Sequence, residues 1–173
     1  APLPGVETRI AGDGELLLRG ELVMDGYWNA QEATEAALEG GWLHTGDIAE
    51  IDPAGHIVIH DRKKDFIKTL GGDMVSPAKI EGLLMAEPEI AQAVIAGEGR
   101  PGVVALLVPA DGAEDQVAPA VDRVNKRLSS IERIRHWRPV APFTVENGLM
   151  TPTMKVRRRL VLQQHAPLVE ALY

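Results

Sequence analysis

Asp61-Arg62-Lys63-Lys64-Asp65 sets five charged side chains in a row. A buried strand or helix face rejects such a run, because each ion would lose its hydration without a partner. The stretch therefore reads as an exposed connector. It divides the chain into a β-rich unit of residues 1–61, a connector of residues 62–65 and a mixed unit of residues 66–173, an α+β chain overall.

Before the connector, the pattern is that of hairpins. Val6 to Ile10 alternates apolar or branched residues with charged ones, Gly12-Asp13-Gly14 supplies a turn, and Glu15 to Arg19 reads as the return strand. Asn29 with Glu32 three residues later predicts a capping box for a short helix to Leu38, stopped by Gly40-Gly41. Ile48 to Ile51, the turn Asp52-Pro53-Ala54-Gly55, and His56 to His60 predict a second hairpin. After the connector, Phe66 to Leu70 reads as a strand, and Ser76-Pro77 caps a helix reaching Met85. Ile90 to Ala96 and Val103 to Val108 read as strands joined by the turn Gly99-Arg100-Pro101-Gly102. Val117 to Leu128 has helical spacing, Ile134 to Val140 is a strand, and Val156 to Gln164 is a final helix.

Composition narrows the function classes. With 173 residues and 45% hydrophobic content the chain can bury a core, built from aliphatic residues because aromatics are only 4%. The lack of cysteine excludes disulfides, thiolate metal sites and a cysteine nucleophile, and fits a cytoplasmic setting. No apolar run reaches the ~20 residues of a membrane span. The chain opens on Ala-Pro-Leu-Pro, so a fragment or processed product is expected. The net charge of −7 argues against a general nucleic-acid binder. The charge is uneven, however: residues 123–159 hold ten bases against Glu132 and Glu146. Such a segment suits a phosphate-rich ligand or an anionic membrane surface, and equally a solvated helix face.

Three short stretches carry the chemistry: His44-Thr45-Gly46-Asp47, Asp61 to Asp65, and Thr151-Pro152-Thr153-Met154-Lys155. Asp47 follows a Thr-Gly turn, and its two carboxylate oxygens can accept from both hydroxyls of a ribose. Arg62 offers a planar fork of donors suited to sugar oxygens or phosphates. Gly71-Gly72 permits close approach of backbone to a ligand. Lys155 sits on a loop kept irregular by Pro152 and Asn147-Gly148, from which an ammonium can reach an anionic centre. The five histidines are scattered, and no cluster of residues suggests a metal site or a hydrolase triad.

Order, spacing and flanks (Gly41-Trp42-Leu43, Gly71 to Pro77, and Val156-Arg157-Arg158-Arg159) resemble the C-terminal third of the adenylate-forming enzymes, most of all the long-chain fatty acyl-CoA synthetases. The likeness runs from about Leu3 to Tyr173. It implies that Asp47 and Arg62 contact the ATP ribose, and that Lys64 is the hinge about which a small C-terminal domain turns. By the same likeness, Gly71 or Gly72 lines the passage of the CoA pantetheine, and Lys155 is the catalytic lysine of adenylation. The following arginines would meet CoA phosphates or form an ordinary basic helix start. The implied cofactors are ATP with its Mg²⁺ and CoA; the implied partners are a fatty acid and an upstream N-terminal domain. The phosphate loop and acyl pocket of such enzymes are not in this sequence, so the chain alone is expected to be inactive. Two alternatives stay open: a non-catalytic module binding CoA, a nucleotide or a carrier protein, and a ligase that charges an acyl-carrier protein.

Overall fold

In the computed structural model, which describes residues 2–173, the chain forms two units, one ending at Asp65 and the other beginning at Phe66. The first is an antiparallel sheet in the order β1-β2-β3-β4, with β1 Val6–Ile10, β2 Glu15–Gly20, β3 Leu43–Ile51 and β4 Ile57–Arg62. The β1–β2 hairpin pairs Val6 with Gly20 and Ile10 with Leu16. Its turn is closed by Gly14 N–H donating to Ala11 O at 3.0 Å, with Gly14 at φ 86°, a conformation glycine adopts without a Cβ clash. Among the described residues, Leu16, Leu17 and Ala49 are the only buried apolar side chains of this unit. Outside that thin core, the guanidinium groups of Arg9 and Arg19 both lie over the Trp42 ring, at 4.6 and 4.5 Å from its centroid.

Two expectations for this unit need correction. Helix α1 spans Gln31–Ala37, but Ala30 is its N-cap and no side chain caps it. Asn29 lies outside the helix in the left-handed region at φ 51°, so the capping box with Glu32 does not form. Thr34 does that work instead: its hydroxyl donates to Ala30 O and accepts from Tyr27 N–H, both at 2.9 Å. The charged run is exposed from Arg62 to Asp65 and ends the first unit, as expected, but it is not irregular. Asp61 and Arg62 close β4, paired with Ile48 and Asp47, and Lys63–Asp65 forms one 3₁₀ turn. An edge strand with its side chains toward water accepts charge that a core strand would not.

The second unit is built around the sheet β7-β8-β9, with β7 Ile90–Ala96 and β8 Val103–Pro109 antiparallel and β9 Ile134–Pro139 parallel to β8. The central strand reads Val-Val-Ala-Leu-Leu-Val and is buried at all six positions, as expected where both faces are covered. Val103, Ala105 and Leu107 pack with Ile80 and Leu84 of α2 (Pro77–Met85) and with Val117, Val121 and Val124 of α3 (Val117–Asn125). Leu106 and Val108 face the other way, into Phe143, Leu149, Met150 and Val161, the last on α4 (Arg158–Gln164). Each fully buried aliphatic side chain contributes about 1.5–3 kcal/mol, so this unit carries its own core.

Local signals set most of its elements. Ser76 caps α2 by accepting from Lys79 N–H at 3.2 Å, with Pro77 opening the helix as expected. The strand expected from Phe66 to Leu70 shortens to β5 Ile67–Lys68, paired with β6 Met74–Val75. Helix α3 ends at Asn125 rather than Leu128, because the Asn125 amide clasps Ile134 from both sides: Oδ1 accepts its N–H at 2.9 Å and Nδ2 donates to its O at 3.0 Å. Helix α4 starts at Arg158 rather than Val156, since Val156 is held in a bridge to Met150. A further helix, α5 Ala166–Glu170, follows it and was not expected.

Candidate functional site

The register of the first sheet creates the candidate nucleotide site. Between Glu15↔Ile48 and Leu17↔His44 only Leu16 intervenes on β2, whereas Thr45, Gly46 and Asp47 intervene on β3. The extra residues bulge out of the ladder, and Gly46 turns the bulge at φ 71°. Side chains replace the lost ladder bonds. Thr45 Oγ1 donates to Leu16 O at 2.7 Å and accepts from Asp47 N–H at 3.1 Å, while Gly46 N–H donates to Glu15 Oε1 at 2.8 Å. A second bulge, between Ile48 and Ala49 in the β3–β4 ladder, brings Arg62 directly opposite Asp47. Their side chains pair, Arg62 Nε to Asp47 Oδ1 at 2.8 Å, and Arg62 Nη1 reaches Thr45 O at 3.4 Å. The pair thus sets a carboxylate acceptor beside guanidinium donors at the edge of the sheet.

Beneath this pair lies Glu15, which sequence reasoning passed over as a strand residue. It is 3% exposed. Its Oε2 meets His44 Nδ1 and Lys63 Nζ, each at 3.0 Å, and Lys63 also meets Asp13 Oδ2 at 2.6 Å. Burial pushes the Glu15 carboxyl upward, but the bonds from His44, Lys63 and Gly46 outweigh it and hold the group below its ordinary value. His44, given no role from the sequence, belongs to this cluster as well. The available signal was a lone acid opening the apolar run Leu16-Leu17-Leu18.

Lys64 occupies the middle of the 3₁₀ turn Lys63–Asp65 and is exposed. Gly71 and Gly72 form the exposed tip of the β5–β6 turn, closed by Gly72 N–H to Thr69 O and Thr69 N–H to Asp73 O, both at 2.9 Å. Gly72 has φ 88° with open space where a Cβ would go, so its glycine requirement is conformational. A Cβ on Gly71 would lie 3.3 Å from Asp73 Oδ2, a close but yielding contact.

Lys155 ends a tight loop. Thr151 N–H donates to Lys155 O at 2.8 Å and Lys155 N–H donates to Thr151 Oγ1 at 3.0 Å, while Met154 takes φ 62°. The backbone is thus fixed while the side chain is exposed, and its ammonium has no ion-pair partner among the described residues. The arginines after it divide. Arg157 and Arg159 are exposed, but Arg158 grips Glu81 of α2 through both nitrogens, at 2.6 and 2.7 Å, and also reaches Ile95 O. Arg158 is therefore a structural clamp and not a free contact for phosphates. Arg123 is engaged too, by Glu87 and Glu89.

The site residues thus fall into two groups. Asp47, Arg62 and Lys64 belong to the first unit, Gly71, Gly72 and Lys155 to the second. No group of His, Cys, Asp and Glu suited to a metal ion occurs among the described residues.

Comparison with known proteins places these features in context. The chain is 39% identical to the long-chain-fatty-acid–CoA ligase FadD15 of Mycobacterium tuberculosis, over 99% of this chain and 33% of that protein. It is 33% identical to the long-chain-fatty-acid–acyl-carrier-protein ligase AEE15 of Arabidopsis thaliana, over 92% of this chain and 25% of that protein. The adenylation domain of a carboxylate reductase from Mycobacterium chelonae superposes with a TM-score of 0.81 at 25% identity, covering 99% of this chain and 31% of that one. The chain spans about a third of the length of the curated fatty-acid–CoA ligases it matches. Residues 64–173 match the family model described as the AMP-binding enzyme C-terminal domain, and the chain belongs to that family.

Proposed function

We propose that this chain supplies the ribose contacts, the pivot and the mobile lysine of an ATP-dependent long-chain fatty acid–CoA ligase. The observation that carries the reading is the Asp47–Arg62 pair. Two bulges bring a carboxylate and a guanidinium together at 2.8 Å, the acceptor and donor types that a vicinal diol requires. The likeness to named long-chain ligases supports the substrate class.

In this reading the parent reaction has two steps. A fatty acid and ATP, with its Mg²⁺, give acyl-AMP and pyrophosphate; CoA then displaces AMP to give the thioester. Asp47 and Arg62 hold the ribose in both steps. The Lys155 ammonium stabilises the negative charge that gathers as the carboxylate meets the α-phosphate. Lys64 is the pivot, and the Gly71–Gly72 turn presents bare backbone to the pantetheine arm. The side chains present fit a ribose but offer no cradle for a triphosphate, so catalysis needs the N-terminal portion of such a ligase.

The test supplies palmitate, ATP, Mg²⁺ and CoA to the chain alone, and then to the chain mixed with the N-terminal two thirds of a long-chain ligase. Acyl-CoA is expected only on mixing. Turnover by the chain alone would overturn the reading, and no turnover in either case would favour a non-catalytic module. Lys64→Pro in a ligase carrying this chain fixes φ at the pivot and should spare adenylation while blocking thioester formation. A second reading, transfer to an acyl-carrier protein, is favoured by the likeness to AEE15, and replacing CoA by holo carrier protein in the same assay decides between them.

A further inference from the structure

We infer that Glu15 is a positioning residue that sets the Asp47–Arg62 pair and anchors the upstream end of the Lys64 turn; this rests on the ribose reading above. Glu15 touches both segments of the candidate site. Its Oε1 takes the N–H of Gly46, the apex of the bulge, whose position fixes where the next residue, Asp47, points. Its Oε2 takes the ammonium of Lys63, the residue between Arg62 and Lys64. Asp13 completes the hold on Lys63 from the β1–β2 turn, and His44 completes the hold on the bulge.

The physical argument lies in what the bulge gives up. A three-against-one register leaves backbone donors of β3 without ladder acceptors, and a partly buried N–H left without a partner is destabilising. A neutral acceptor could satisfy Gly46 alone. A buried carboxylate is the costlier choice, because it must be repaid by charged or polar donors. Here the compensating donors come from the two stretches that carry Asp47 and Arg62. A carboxylate placed only for stability has no need to join them. Lys63, bonded to Glu15 Oε2 and Asp13 Oδ2, is tied to the β1–β2 hairpin, so a pivot at Lys64 would lie just outside the cluster that holds the ribose pair.

The experiment titrates the 173-residue chain, ¹⁵N-labelled, with AMP and with 2′,3′-dideoxy-AMP, following amide shifts at Gly46, Asp47 and Arg62. The wild type should bind AMP more tightly than the dideoxy analogue. Glu15→Gln keeps the size and an acceptor for Gly46 but loses the charge that holds Lys63; it should weaken AMP by about ten-fold, the scale of one hydrogen bond to a charged group, without changing affinity for the analogue. Lys63→Met, which leaves Glu15 bound to Gly46, should weaken AMP less and keeps the idea testable if Glu15→Gln unfolds. AMP affinity unchanged in both variants would overturn the positioning role while leaving the ribose reading intact. Equal wild-type affinity for AMP and its dideoxy analogue would overturn the ribose reading itself, and the inference with it.

Discussion

Among the described residues of the unit ending at Asp65, three apolar side chains are buried, and the Asp47 loop hangs on a carboxylate. In the unit beginning at Phe66, strand β8 alone buries six consecutive apolar residues, and the Lys155 loop is closed by its own backbone and the Thr151 hydroxyl. The contrast separates two ways of holding a functional side chain. A polar hub fixes direction, since each bond has a preferred angle and partner, but it depends on protonation and on every member being present. An apolar core resists local change and leaves direction to be set by the loop that rises from it.

If that contrast is right, the largest effect belongs to the core. Leu106→Ala opens a cavity at a fully buried position and should cost about 2–5 kcal/mol, read from urea unfolding followed at second-unit residues. A loss well below that range would mean that the second unit does not rest on β8. Lys155→Ala comes next and should leave folding untouched, because the ammonium is exposed. In a ligase carrying this chain it should reduce acid-dependent ATP–pyrophosphate exchange by about 10²-fold or more, the scale of losing one preorganised electrostatic contact. Thioester formation from supplied acyl-AMP should change far less, and equal losses in both half-reactions would remove Lys155 from its role.

Arg158→Ala tests whether the second unit also uses a polar hold near its functional loop. It removes both bonds to Glu81, itself tied to Ile95 N–H at 2.8 Å, and should cost roughly 1.5–3 kcal/mol. Arg158→Lys should recover part of the loss, whereas Arg159→Ala, at an exposed position, should cost almost nothing. The smallest effect is a difference in acid response. Glu15 has a folded pKa lowered from 4.5, so its contribution is fully present above that value and is lost as pH falls through the folded one. Glu132 of the second unit is lowered as well: burial opposes the shift, and bonds from Lys79 and Ser129 outweigh it. Loss of the Glu132 pair leaves a large apolar core in place; loss of the Glu15 hub leaves three buried apolar residues. Hydrogen exchange below pH 4.5 should therefore rise first at Gly46 and Asp47, and Glu15→Gln should abolish that pH dependence. Simultaneous loss of protection in both units would show that the hub is not the weak point.

What the sequence by itself determined is local. The β1–β2 hairpin, the Ser76–Pro77 helix start and the β7–β8 pair follow from turn residues, caps and short alternating or continuous apolar runs a few positions apart. The three stretches with their lysine, arginine and aspartate were legible for the same reason: each is contiguous. Only the tertiary structure decided which of the charged side chains are held by distant partners and which stay exposed. Glu15 meets Gly46 across 31 positions and Lys63 across 48, and Arg158 meets Glu81 across 77. No periodicity encodes such distances. A charge reads the same in sequence whether it points to water or to a buried partner, so Arg158 and Arg159 looked alike until the fold brought Glu81 to one of them.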